Sequence, residues 1–373
     1  MASRQEFERV GFSNAAGLQL ALYNNGGTAS LLLDGLMINL VEGRPLQGGL
    51  DQVWLRVHTD AGIQPLPVSG TAATCAFHEN GAQWQQEASG IEASMQLMLH
   101  PDLPVLFRVC HARNAGKHPV TIDWLAGQDL GLADIGMLKN NEAYVCQYLD
   151  HRIVDHPIAA KVILSRNNLH PTHPFAMHCC LQGAQAASTD GYQFFGTDYK
   201  LSDVPAALHA PLLEDRVRQY EFAYAALQSR AIELQVGQSD TVVFALYVVK
   251  EHPAVSSTDD LVLVDEVLGA HLPQAGQRLA DGSKNAFFAT TPLLVAQALG
   301  EAQLKSLFAG DWRHVEYSAN RELLSFFCGD DTHVALPAKE RSVERQHGTV
   351  LRSGTGTALA DNVLSATCYG YGA

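Results

Sequence analysis

EASMQLMLHPDLPVLFRVCHARNAGKHPVTIDWLAG, residues 92–127, reads as three strands in succession. EASMQLML (92–99) and PVLFRVCHAR (104–113) alternate apolar with polar side chains, and the turn-forming NAGKHP leads into VTIDWLAG (120–127), where Val120, Ile122 and Trp124 share one face. The stretch predicts an antiparallel meander. The same pattern extends outward, through LQLALY (18–23), LMINLV (36–41) and QVWLRVH (52–58) on one side and KVILS (161–165), YEFAYAAL (220–227) and AIELQV (231–236) on the other. TVVFALYVV (241–249) is apolar on both faces, as expected for a strand covered on both sides. Many antiparallel strands with hardly a helical pattern among them predict a mainly β fold, a large sandwich rather than a small barrel.

The pattern changes near residue 255. In SSTDDLVLVDEVLGAH, Ser257 or Thr258 supplies an N-cap, acids fill the first turn, Leu261, Val264 and Leu268 make an apolar stripe, and Gly269 closes a short helix. TPLLVAQALGEAQLKSLFAG (291–310) predicts a second, with Thr291 as cap, Pro292 at the first position, Gly300 as a division and Gly310 at the end. Strand-like runs return in RELLSFFCG (321–329), HVALPAKE (333–340) and GTVLRSG (348–354). So few strands cannot bury a face without a partner. The expected organisation is a sandwich over 1–255, a helical linker over 256–310, and a short β segment over 311–373 that packs on the sandwich or on another body.

Composition narrows the function. Hydrophobic residues make up 47% of the 373 and no apolar run approaches the ~20 residues of a membrane span. The N-terminal MASRQEFERVGFSN has no apolar signal core, which predicts the cytoplasm. Seven scattered cysteines without a C-x-x-C pair predict neither disulfides nor a thiolate metal site. A net charge of −14 without a basic block argues against nucleic acid and membrane partners and leaves a neutral ligand such as a sugar indifferent.

The chemistry-bearing candidates crowd into GQDLGLADIGMLKNNEAYVCQYLDH (127–151). Gln128, Asp129, Asn141, Glu142, Gln147, Tyr148 and Asp150 predict a shaped polar surface that contacts a sugar or a neighbouring domain, with Tyr144, Tyr148 or Trp124 offering ring faces. Asp129, Asp134, Glu142 and Asp150 equally suit turn caps and pairing with Arg152 or Lys139. His151, His156, His170, His173 and His178 are close in sequence, but they lie in loop and strand text and the HEXXH glutamate is missing, so no metal site is assigned. GTGT in SGTGTAL (353–359) lacks the Gly-Lys-Ser/Thr of a phosphate loop, and no cofactor is implied.

GQDLGLAD...KNNEAYVCQYLDH, together with TPLLVAQALGEAQLKSLFAGDWRHVEYSANRELLSFFCGDDTHVALPAKERSVERQHGTVLRSG, resembles the N-terminal and linker portion of the 1,2-β-oligoglucan phosphorylases, relatives of cellobiose phosphorylase. The resemblance spans roughly residues 50–355. It implies a galactose mutarotase-like β-supersandwich followed by a helical linker. It further implies an inverting phosphorolysis whose catalytic Asp belongs to an (α/α)6 barrel of at least ~300 more residues. No position here corresponds to that acid, so no catalytic residue is assigned. The partners implied are a β-glucan oligosaccharide or the barrel; without the barrel, linker residues Leu293, Leu294, Leu304, Leu307 and Phe308 are expected to expose an apolar patch that favours association, such as a homodimer. Two alternatives stand beside it: a mutarotase-like epimerase using His170 or His173 with Glu142 or Glu214, and a carbohydrate-binding module without chemistry.

Overall fold

The computed structural model describes residues 8–45, 47–197, 199, 204–218, 222–283, 300–317, 321, 323–328, 332–335, 342–345 and 348–351. The chain divides into two compact units, Met1–Asn285 and Ala286–Ala373. Strands dominate the described residues.

The first unit opens with a small antiparallel sheet of β1 (Arg9–Ser13), β2 (Leu18–Tyr23), β3 (Thr28–Leu33) and β4 (Leu36–Met37). Next come β5 (Gln52–Thr59), β6 (Gly62–Pro67), β7 (Thr74–His78), β8 (Gly81–Ala88), β9 (Ile91–Leu99), β10 (Val105–Asn114) and β11 (Val120–Asp129). Helix α1 (Ile135–Cys146) precedes β12 (Leu149–His156), β13 (Ala160–Asn167), β14 (Phe175–Cys180) and β15 (Ala184–Asp190). Helix α2 (Gly191–Phe195), β16 (Ala223–Ser229), β17 (Ile232–Leu234), β18 (Ser239–Val249), α3 (Val262–Gly269) and β19 (Arg278–Asp281) complete it. One sheet path runs β19-β7-β8-β9-β10-β18-β14-β13-β15-β16-β11-β5-β6, with β12 beside β13 and β17 beside β11.

The meander expected over residues 92–127 is half present. β9 and β10 form an antiparallel pair with Leu106 opposite Leu99. The other neighbour of β10 is β18, however, while β11 lies between β5 and β16. Alternation specifies which face a side chain takes but not which strand lies alongside. β10 and β11 instead face one another: Leu106, Cys110 and Ala112 share one buried cluster with Ile122, Trp124 and Ala126. That shared cluster is the filling of a sandwich. The intervening residues point the other way, so that Val105 and Phe107 meet Val264 and Val267 of α3, and Leu125 meets Phe194 and Phe195 of α2. Covered on both faces over residues 242–248, β18 reads as an apolar run.

α3 begins as its sequence predicts. Ser257 Oγ accepts from the Asp259 amide, Asp260 Oδ2 accepts from the Ser257 amide, and a 3-10 turn over Thr258–Leu261 runs into the helix. The interval 256–310 expected to be helical also contains β19, which pairs with β7. The caps Thr291 and Pro292, with Leu293 and Leu294, fall outside the described residues.

Burial extends to charge. Arg56 and Asp123 oppose one another across β5 and β11, and Nε and Nη2 of the guanidinium meet the two carboxylate oxygens at 2.6 and 2.7 Å. Gln228 Nε2 donates to the same carboxylate at 3.1 Å, so a fully buried anion has several donors.

In the second unit, α4 (Glu301–Leu307) starts at Gly300, and β20 (Trp312–Tyr317), β21 (Leu323–Cys328) and β22 (Thr332–Ala335) form a three-stranded sheet. A further hairpin joins β23 (Ser342–Arg345) and β24 (Gly348–Leu351). Phe326, Cys328 and Val334 are buried against Phe308 and Trp312, the Trp312 ring stacking on Phe326 at 3.8 Å. Of the linker residues expected to be exposed, Leu304 is buried and Leu307 is 63% exposed. No described helix is long and apolar enough to cross a membrane.

Candidate functional site

The seven residues singled out in sequence divide between the interior and the surface. Gln128 and Asp129, expected on an exposed contact surface, are buried, because β11 is covered on both faces where they leave it. Asp129 Oδ2 accepts from the amides of Leu40 at 2.9 Å and Val41 at 3.0 Å, and Oδ1 from Asn39 Nδ2 at 3.2 Å. It pins the segment after β4 to the end of β11. Burial pushes its carboxyl up to about 6, against the pull of those donors. Gln128 Oε1 accepts from Arg108 Nη2 at 2.7 Å, and Arg108 also holds Asp51 at 2.8 Å.

Gly127 precedes this pair for a steric reason. A Cβ there would lie 2.4 Å from the Tyr224 hydroxyl, which donates to the Leu50 carbonyl. Beside it, Gln128 Nε2 and both ring nitrogens of His178 are buried without a hydrogen-bond partner among the described residues. Burial lowers the His178 imidazole to about 3, with Arg108 adding to the effect, and lowers His151 to about 4.

The surface residues are positioned by α1. Its backbone breaks at Asn141 (φ −162°, ψ 87°), and Asn141 Oδ1 accepts from the Tyr144 amide at 3.0 Å, starting a second helical piece. Leu138, Val145 and Cys146 anchor the element. Tyr144 and Tyr148 therefore emerge one turn apart, 46% and 36% exposed. Their rings meet edge to face at 5.1 Å and their hydroxyls lie 3.1 Å apart. The hydrogen bond to Tyr144 raises the Tyr148 phenol. The Tyr148 carbonyl accepts from the Asn168 amide at 2.9 Å, tying the pair to the loop after β13. Gln147 is exposed beside them, and Glu142 and Asp150 are half-buried. An exposed aromatic pair with amide and carboxylate residues close in sequence suits either a sugar ring or a polar protein surface.

The histidine candidates are dispersed. His151 and His156 both lie on β12, where residues five apart point to opposite faces, and they bond Ser165 and Asp265 respectively. His170 is held by Thr172 and Asp134, and Glu214 by Arg218, so neither histidine of the epimerase alternative pairs with Glu142 or Glu214 among the described contacts. Among the described residues no group of three or more His, Cys, Asp or Glu could hold a metal ion. A cleft of about 720 Å³ opens at the far ends of β1, β7 and β9. Its turn residues carried no periodicity or motif that would have marked them.

Residues 21–245, more than half of the chain, match the SOGP N-terminal domain family. The chain belongs to this family. Residues 311–373 match the glycoside phosphorylase supersandwich domain, so that description falls beyond residue 310 and the N-terminal sandwich carries its own. A 1,2-beta-oligoglucan phosphorylase of Listeria innocua is 28% identical over 372 residues, taking in 96% of this chain and 32% of that protein. The SOGP-family chain thus spans about a third of the length of that relative. Among solved structures, a bacterial glucoamylase complexed with acarbose is 9% identical, covers 71% of this chain and 36% of its own, and has a TM-score of 0.41. A galactose mutarotase-like protein from Lactobacillus casei is 8% identical, covers 65% of this chain and all of its own, and has a TM-score of 0.32. At these scores no assignment rests on the structural likenesses.

Proposed function

We propose that this chain is the N-terminal, β-rich portion of a phosphorylase of β-linked gluco-oligosaccharides, and that its part is contact and support rather than bond cleavage. The match to the SOGP N-terminal domain over residues 21–245 carries this reading. In the reaction proposed for the whole enzyme, inorganic phosphate displaces the glycosidic oxygen while an Asp acid elsewhere protonates it. The Tyr144 and Tyr148 pair, with Gln147, Glu142 and Asp150 around it, serves as the contact surface, its partner being a β-glucan oligosaccharide or a helical barrel. Such a surface offers hydroxyls, an amide and carboxylates, groups that hydrogen-bond sugar hydroxyls or a polar protein surface.

The test is incubation of the chain with β-1,2-gluco-oligosaccharides and inorganic phosphate. No release of glucose 1-phosphate is expected. Release at an enzymatic rate overturns the reading.

A further inference from the structure

We infer that the cleft between the β1–β2 turn, the β7–β8 turn, the β9–β10 connection and the segment after α3 is a binding site for a neutral polyhydroxyl ligand. This deepens the proposed function, and it rests on that reading for the choice of a sugar as the ligand. The volume, about 720 Å³, lies in the ~300–1,000 Å³ range of small-molecule sites.

The walls are built before any ligand arrives. Asn14 Nδ2 donates to the carbonyls of His100 at 2.7 Å and Leu103 at 2.8 Å, joining the first turn to the third. Asn80 Nδ2 donates to the Gln274 carbonyl at 2.7 Å, and Asn80 Oδ1 accepts from the Gly276 amide at 2.8 Å. Glu79 Oε2 accepts from the Gln277 amide at 3.1 Å. Segments up to 198 residues apart in sequence are latched to one another, so little ordering remains to oppose binding.

The groups left over define the ligand. His100 Nδ1 accepts from the amides of Asp102 at 3.1 Å and Leu103 at 2.9 Å, so the neutral ring keeps its proton on Nε2 as a donor. Glu79 keeps Oε1, and the side chains of Asp102, His271 and Gln274 have no hydrogen bond to another described residue. The free groups thus include both acceptors and donors, a mixture that hydroxyls satisfy because each both donates and accepts. No Lys or Arg lines the cleft, and the carboxylates of Glu79 and Asp102 repel phosphates and other anions. A permanent protein interface would bring aromatic and apolar side chains. Here no Phe, Tyr or Trp lines the cleft, and Leu272, 41% exposed, is the one exposed large apolar side chain.

The experiment is titration of the chain with β-1,2-linked glucotriose, read by saturation-transfer NMR and calorimetry. The double variant Asp102→Ala/His271→Ala removes two hydrogen-bonding groups that take no part in the described fold, so its circular dichroism should be unchanged. Its affinity should fall at least about 30-fold, as for one charged and one neutral hydrogen bond lost. Tyr148→Ala should leave this binding in place. Undiminished affinity in the double variant overturns the cleft. If Tyr148→Ala alone abolishes binding, the cleft falls while the contact surface of the proposed function stands. If the double variant loses binding and the chain nonetheless releases glucose 1-phosphate, the cleft stands and the proposed function falls. No binding of the trisaccharide at millimolar concentration also overturns the cleft.

Discussion

Asn141 leaves the helical conformation and accepts a hydrogen bond from the Tyr144 amide at 3.0 Å, so one side chain both breaks α1 and starts its second piece. The exposed tyrosine pair depends on that bond, because it sets where the last turn of the helix points. Asn141→Ala should cost about 1 kcal/mol, the usual value of a lost N-cap, while Asn141→Asp should retain most of it. Urea unfolding gives the first quantity, and near-ultraviolet circular dichroism reports whether the tyrosines have moved. Equal stability of Asn141→Ala and the parent chain would remove the capping role.

The buried histidines predict acid lability. His151 and His178 titrate near 6.5 when unfolded, and burial lowers them to about 4 and about 3 in the fold. Their contribution is therefore present above pH 6.5 and is lost as pH falls toward those lower values, on the order of 3 kcal/mol for His151 and about 5 kcal/mol for His178. His178→Met should flatten the stability profile between pH 6.5 and 4 without lowering it at pH 4. An unchanged slope would contradict this.

Asp129 acts with the opposite sign. Its carboxyl is raised from 3.8 to about 6, so the stability it lends is complete below 3.8 and lost as pH rises through 6. In Asp129→Asn the loss between pH 4 and 6 should disappear, measured as unfolding free energy against pH. Asp129→Ala, by contrast, should destabilise by about 2–4 kcal/mol at every pH, because it strips two buried amides of their acceptor.

Arg56 and Asp123 should be strongly coupled. Either Arg56→Met or Asp123→Leu alone leaves a buried charge uncompensated and should cost about 3–5 kcal/mol, whereas the double variant should cost much less than the sum. A double-mutant cycle by chemical denaturation decides it. Additive effects would show that the pair is not a unit.

Gly127→Ala should destabilise by about 1–3 kcal/mol through overpacking, since the new methyl lands on the Tyr224 ring. Tyr224→Leu placed beside it should recover part of that loss. Thermal unfolding of the two variants makes the comparison.

Much of the fold was legible in one dimension. The alternation of Val120, Ile122 and Trp124, the two-faced apolar run of β18 and the cap at Ser257 are consequences of backbone period and terminal hydrogen bonding, which neighbouring residues alone dictate. α1 is not legible in the sequence because its apolar residues Leu138, Val145 and Cys146 make no sustained stripe and Asn141 interrupts it, so GLADIGMLKNNEAYV reads as a polar connection. The polarity of Gln128 and Asp129 predicts surface groups. Their donors, at Leu40, Val41, Asn39 and Arg108, lie 20 to 90 residues away and leave no local trace.

By itself the amino-acid order determined that this chain builds layered β-structure, where a capped helix starts after residue 256, and which family it joins. Strand neighbours, the burial of Asp129 and the assembly of the cleft at His100, Asn80 and Gln274 were decided only in three dimensions. The physical reason is that strand pairing and the satisfaction of buried polar groups are long-range. A side chain's type announces that it needs a partner, and only chain closure selects which one.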